Sequence, residues 1–334
     1  MKIAVIGAGA IGGLVAGYLA LQQEDVFLVG HADSVKAIKA RGLSISGVRG
    51  DHHVTLGIAE TLGSTPDLAI LATKTHDVPQ AIKDNLQYLK GATLLTTQNG
   101  VRADSLVAQY LPREKIISSI VMFGATYLEP GKIIHNFEGS WIIGKSAYSN
   151  DEAFLRFFSL LGKAFPTQVV EDISGMKYLK IFVNANNCIP AILGLSMQEA
   201  FSDVEVSKIS IAVWKEGLRV VNAAGIKLVS LPDFPLERVT KLVSLPIAEA
   251  ARIYSGLMSN LSNVPLYGSI LQSIKRGKLS EIDFINGEFV LLAKEKNISA
   301  PLNTKLVEMV HQVEQNKRFF SREELLNTTR GFIN

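Results

Sequence analysis

The chain has 334 residues, 47% of them hydrophobic and 19% charged, which is enough for two domains and a large core and is far from a disordered composition. A net charge of +3 gives no reason to propose a nucleic-acid partner, although a mildly basic balance suits anionic ligands. The single cysteine, Cys188, cannot close an intrachain disulfide, and every apolar stretch is broken before the ~20 residues that cross a bilayer, so the expectation is a cytoplasmic protein without membrane contact.

Ile3 to Ile6 is a short apolar run ending on Gly7, and Gly7, Gly9 and Gly12 then fall at G-x-G-x-x-G spacing ahead of a small-residue helical stretch. Strand, tight turn and helix in that order are the fingerprint of a dinucleotide-binding βαβ unit. Gly7 permits the turn, Gly9 lets the backbone approach a pyrophosphate, and Gly12 lets the helix pack close to the strand. The expected cradle is therefore Gly7, Ala8, Gly9, Ala10, Ile11 and Gly12, with the free N–H groups of the helix facing the phosphates. A secretory signal has no need of three glycines in this register.

Val26 to Val29 reads as the second strand, whose end sorts NAD from NADP in such folds. Gly30-His31-Ala32-Asp33 stands there: His31 can meet a 2′-phosphate, and Asp33 is read as the cap of the next helix. Gly42 to Ile58 alternates apolar and polar residues, as a hairpin or paired short strands would. His52 and His53, adjacent in a strand, point to opposite faces, and no His, Cys and carboxylate spacing along the chain resembles a metal site. Pro66 to Thr73 is a buried-strand pattern closing on Lys74, which puts that lysine at the strand end where ligands bind in open α/β folds. Val78 to Leu89 reads as a helix and Ala92 to Thr97 as a strand, followed by the turn Gln98-Asn99-Gly100, where the Asn99 amide has reach toward the nicotinamide or a substrate oxygen. Extra strands follow on either side of Glu129-Pro130-Gly131.

After about residue 150 helical periodicity dominates, with Val169-Val170 as a last short strand. The expected architecture is an α/β fold: a Rossmann-type dinucleotide-binding domain over residues 1–172, then an all-helical substrate and catalytic domain over 173–334, with the active site in the cleft where the two meet. In the second domain, Lys180 and Asn184 lie one helical turn apart, so an ammonium and an amide project together. Ser280 to Glu288 adds the carboxylates Glu281, Asp283 and Glu288 close to a mixed apolar run.

Together, Gly7-x-Gly9-x-x-Gly12, Lys74, Gln98-Asn99-Gly100, Lys180 with Asn184, Ser269, and Glu281-Ile-Asp-Phe-Ile-Asn-Gly resemble the ketopantoate reductase family, the 2-dehydropantoate 2-reductases, along the whole chain. The resemblance implies reduction of 2-dehydropantoate to (R)-pantoate, a step toward pantothenate and coenzyme A, with NADP (NADPH) as cofactor and NAD kept as the alternative. It implies Lys180 and Glu281 as catalytic residues: hydride delivery to a ketone leaves an alkoxide, so a positioned acid must supply a proton, and Lys180, half buried and with its pKa drawn toward working pH, is the candidate. Asn184, Ser269 and Asn99 would bind the substrate, and the cofactor would be held by the glycine loop with His31, Lys74, Asn99 and Glu281. The family often has an arginine where Gly30-His31 stands, an asparagine at Cys188, and another at Leu266. By the resemblance the last two departures, Cys188 and Leu266, border the substrate, and they keep open a related dehydrogenase for another 2-oxo acid. A dinucleotide sensor without turnover is the reading from another class, although a sensor has no need of the lysine and carboxylate. The apolar C-terminal half would suit a homodimer.

Overall fold

Short buried apolar runs alternate with amphipathic stretches through the first half of the chain, and each run becomes a strand. A computed structural model of the protein describes residues 1–144, 152–262 and 264–333. The chain divides into two compact units, Met1–Ile173 and Ser174–Asn334. The first begins β1 (Lys2–Ile6), α1 (Ala10–Leu21), β2 (Asp25–Val29), α2 (Ala32–Arg41), β3 (Leu43–Gly47), β4 (His52–Val54), β5 (Gly57–Ala59) and β6 (Leu68–Leu71). It continues with α3 (Val78–Leu89), β7 (Thr93–Thr96), α4 (Ala103–Val107), β8 (Ile116–Val121), β9 (Gly124–Glu129), β10 (Lys132–Phe137), β11 (Trp141–Gly144), α5 (Glu152–Ala164) and β12 (Thr167–Val170).

Eight strands form one sheet in the order β12-β11-β8-β7-β6-β1-β2-β5, parallel throughout except where β11 runs against β8. β1 lies inside it, pairing Ile3 with Val26 on one side and with Leu68 on the other. The chain winds outward from β1 through β2 to β5, then returns to β6 and winds the other way, so the switch point lies between β1 and β6. Both faces are covered, as a parallel sheet requires. One apolar cluster joins Val5, Leu14 and Leu161; the other joins Ile6, Ile82 and Val107.

A second sheet, β4-β3-β10-β9, realises the hairpin expected over Gly42 to Ile58, with β5 leaving it to join the large sheet. Helix α1 lies against this second sheet as well, which explains its small residues. A Cβ at Gly13 would come 2.1 Å from Ile133, and one at Gly17 2.3 Å from Ile45. Between Gly12 and Leu19 every residue of α1 is buried.

The second unit is helical: α6 (Ile173–Ala185, its first residue counted with the first unit), α7 (Cys188–Leu193), α8 (Met197–Phe201), α9 (Val204–Ala223), α10 (Glu237–Ser244), α11 (Ile247–Ser259), α12 (Ser269–Lys275), α13 (Asn286–Glu295), α14 (Pro301–Asn316) and α15 (Arg322–Thr329). α9 is its axis. Trp214 on α9 donates its Nε1–H to the carbonyl of Phe182 on α6 at 2.8 Å, and Phe182 meets Phe289 of α13 with ring centroids 4.9 Å apart. Glu216, also on α9, caps α14 by accepting from the N–H groups of Leu302 and Asn303. No helix among the described residues is long and apolar enough to cross a membrane.

Candidate functional site

The glycine turn sits at the switch point. Gly7 takes φ +117°, a conformation that favours glycine, and its backbone lies so close to β6 that a Cβ would meet Ala72 and Thr73 at 2.7 Å. At Gly12 a Cβ would be 1.9 Å from the carbonyl oxygen of Gly7, so the start of α1 can approach the turn only without a side chain there. Gly9 differs: nothing lies within 4 Å of where its Cβ would be. Gly9 is also the N-cap of α1 and offers no side-chain acceptor to the first N–H groups of the helix. Those donors and the positive end of the helix dipole therefore face open space, which is the arrangement an anionic diphosphate fills. Close by, the hydroxyl of Thr73 is buried without a hydrogen-bond partner. These features fit a dinucleotide, held by Gly7 to Gly12 with Thr73 at the edge.

Two further loops are drawn to this edge. Gln98, buried just beyond β7, donates its side-chain N–H to the carbonyls of Leu71 and Thr73 at 2.9 and 3.1 Å. Thr75 donates its hydroxyl to the carbonyl of Asn99 at 3.3 Å. Lys74 and Asn99, 25 positions apart in the chain, thus come to neighbouring strand ends and are both half-buried. At the end of β2, Gly30 packs against the glycine turn, where a Cβ would be 2.6 Å from that of Ala8. His31 follows, exposed. It, rather than Asp33, is the N-cap of α2: Asp33 falls inside the first turn and accepts from the N–H of Ser34 at 2.8 Å, so the expected aspartate cap is corrected to a histidine without a side-chain cap bond.

In the second unit, α6 carries Lys180 and Asn184 one turn apart, both half-buried. Burial draws the Lys180 ammonium down to about 8; Glu281 pulls it back up, and Lys177 on the preceding turn pushes it down. Lys180 and Glu281, a hundred residues apart, are therefore electrostatic neighbours. Lys177 is itself 5% exposed and was not singled out in the sequence, where its i, i+3 spacing from Lys180 was the available signal. Glu288 is buried on α13 near the Tyr178 hydroxyl, and Asp283 is exposed beside His311, so the three carboxylates of this segment have three different surroundings. Ser269 opens α12 and is exposed.

Cys188 is fully buried, its thiol pushed up to about 12 by burial and hydrogen-bonded to Asn286, so the expectation that it borders a substrate gives way to a place in the helical core. Leu266 is half-buried on the loop before Ser269. Gln198 grips that loop, accepting from the N–H of Leu266 and donating to the carbonyls of Ser262 and Val264. A separate surface hollow of about 470 Å³, lined by Val290, Lys294, Pro301 and Lys305 among others, contains none of the expected site residues.

A parallel sheet that reverses its winding beside an anion-ready glycine turn is the framework of the Rossmann-type dinucleotide-binding proteins. Within that class the chain belongs to the ketopantoate reductase family, oxidoreductases acting on a CH–OH group: the family model for ketopantoate reductase PanE/ApbA matches residues 3–148, and the model for its C-terminal part matches residues 172–314. A 2-dehydropantoate 2-reductase of Pyrococcus horikoshii is 33% identical over 316 residues, covering 94% of this chain and 98% of the relative. A crystal structure of a PanE/ApbA family ketopantoate reductase from Ralstonia eutropha superposes with a TM-score of 0.80 at 25% identity, covering 95% of this chain and 99% of that one. A D-mandelate dehydrogenase in complex with NADH superposes with a TM-score of 0.79, also at 25% identity, over 95% of this chain and all of the other.

Proposed function

We propose that the protein reduces 2-dehydropantoate to (R)-pantoate with NADPH. The observation that carries this reading is the pairing of Lys180 with Glu281 on a helical unit that follows a dinucleotide-binding framework, in a chain of the ketopantoate reductase family. The reading assigns the cofactor to a domain of residues 1–172, held by Gly7 to Gly12, His31, Lys74, Asn99 and, from the second domain, Glu281. When bound, the reduced dinucleotide supplies the hydride. Lys180 donates a proton to the oxygen of the reacting ketone as negative charge develops there, and its ammonium stabilises that charge before the proton moves. Glu281 keeps the ammonium in place and accepts a hydrogen bond from a substrate hydroxyl. Asn184 and Asn99 orient the substrate, Asn99 also reaching the nicotinamide, and Ser269 donates to the substrate carboxylate. All of the catalytic and substrate-binding side chains except Asn99 lie in residues 173–334.

Steady-state assays of 2-dehydropantoate with NADPH and with NADH test the reading, together with Lys180→Ala. NADPH consumption is expected for the native protein. The variant should lose about 10²- to 10⁴-fold in kcat, the usual contribution of a general acid; an unimpaired variant removes Lys180 from the reaction. A second reading, a dehydrogenase of another 2-oxo acid, is favoured by Leu266 standing where the family often has asparagine; a panel in which another 2-oxo acid has the higher kcat/KM would select it. A cytoplasmic location, suited to the single thiol, and a homodimer belong to the same proposal, the latter read from the mass in solution.

A further inference from the structure

Glu281 belongs to no long helix or strand. It immediately precedes a short 3-10 turn, Ile282–Phe284, so its position depends on how that short segment is tethered. Two side chains of α14 do the tethering. Glu314, buried, accepts through Oε1 from the N–H of Ser280 at 2.7 Å. Its Oε2 lies 3.1 Å from Nδ1 of His311, and Nε2 of His311 lies 3.0 Å from Oδ1 of Asp283. One continuous chain of contacts thus grips the segment at residues 280 and 283, on either side of Glu281.

Both ring nitrogens of His311 face a carboxylate oxygen. A neutral imidazole has one N–H and turns a lone pair toward the second carboxylate, whereas the imidazolium donates to both. We propose that His311, as imidazolium, is a positioning residue that holds Glu281 beside Lys180, and that loss of its proton slackens this hold. The inference rests on the reading of Lys180 as the acid. The charged groups facing His311 are Glu314 from its own helix and Asp283 from the tethered segment; those facing Lys180 are Glu281 and Lys177. Burial lowers His311, but its hydrogen bonds to the carboxylates of Glu314 and Asp283 outweigh it, so the ring titrates above its ordinary range. Lys180 deprived of Glu281 keeps only influences that lower it, burial and Lys177. The pH at which Lys180 loses its proton therefore reports where Glu281 is.

The experiment is an NMR titration of the full-length protein without substrate, with ¹³Cε-lysine labelling and Lys180 assigned through Lys180→Arg, in native protein, His311→Ala and His311→Lys, alongside pH profiles of 2-dehydropantoate reduction. His311→Ala should move the Lys180 titration, and the alkaline limb of kcat/KM with it, down by about 0.5 pH unit or more, roughly a threefold change in the protonation ratio. His311→Lys, charged throughout the range, should restore it. A purely structural histidine would lower kcat without moving the limb, and an unmoved Lys180 titration in His311→Ala overturns the proposal. If the variants do not fold, the His311 ring of the native protein decides: titration above about 6.5 supports the clamp, and titration at or below it overturns it. Absence of 2-dehydropantoate reduction by native protein would count against the proposed reaction alone, since both NMR readings are made without substrate.

Discussion

Gly9 and Gly12 stand three residues apart in one motif, yet the same added methyl should have different consequences at the two sites. At Gly9 the backbone has φ −86° and ψ −162°, open to any L-residue, and a Cβ meets nothing within 4 Å. Gly9→Ala should therefore leave stability within about 0.5 kcal/mol of native. The methyl would instead occupy the space through which the start of α1 faces a pyrophosphate, an overlap costing about 1–3 kcal/mol, or roughly 5- to 150-fold in NADPH affinity. At Gly12 the Cβ would stand 1.9 Å from the Gly7 carbonyl oxygen and 2.9 Å from Ala72, so α1 must move off the sheet. That should cost stability as well as binding, about 1–3 kcal/mol at the least, and lower the melting temperature by at least about 2 °C. Thermal melts without ligand and fluorescence titration with NADPH separate the two effects. The reasoning is refuted if Gly9→Ala binds NADPH as tightly as native protein, or if Gly12→Ala melts with it.

The remaining expectations concern charge. Because Lys180 titrates at about 8 and must be protonated to act as an acid, kcat/KM should be level below that pH and fall about tenfold per unit above it; a profile still rising at pH 9 would contradict the assignment. His31 is exposed at the end of β2 with no acidic side chain at that point, so NADPH should be weakly preferred over NADH in kcat/KM, and His31→Glu should shift the ratio toward NADH. His135 is fully buried against the Tyr18 hydroxyl, and burial lowers its pKa below the unfolded value of about 6.5. The unfolded chain then binds the extra proton more readily, so native protein should lose stability as pH falls below about 6.5, and His135→Gln should flatten that part of the pH–stability curve. An unchanged slope in urea unfolding midpoints between pH 7 and pH 5 would show that His135 is not the group responsible.

Patterns confined to neighbouring residues were legible in the chain itself. The spacing of Gly7, Gly9 and Gly12, the helix Val78–Leu89 and the one-turn separation of Lys180 and Asn184 depend only on local geometry, and the structure contains each of them. Asp33 was misread because helix starts favour aspartate wherever they begin, and α2 begins two residues earlier than that preference suggests, at Ala32 after the N-cap His31. Cys188 was placed at a substrate's edge by its position relative to Asn184, but that position says nothing of what packs over it, and α13 brings Asn286 onto the thiol. What the side chains of Gln98 and Gln198 hold was not legible for a related reason. Each is informative only for the carbonyls it pins, and those belong to residues 25 or more positions away.

The amino-acid order alone specified a dinucleotide-binding turn at the start of the chain and a lysine beside an amide on a later helix, because hydrogen bonding and side-chain spacing along one strand or helix are set by neighbours. It carried no record of the partners that long-range packing supplies. The second sheet strips α1 of side chains at Gly13 and Gly17, Lys177 lies buried behind Lys180, and α14 reaches back with His311 and Glu314 to hold the turn that carries Glu281. Those contacts join residues tens of positions apart, and only burial on folding brings them within reach of one another.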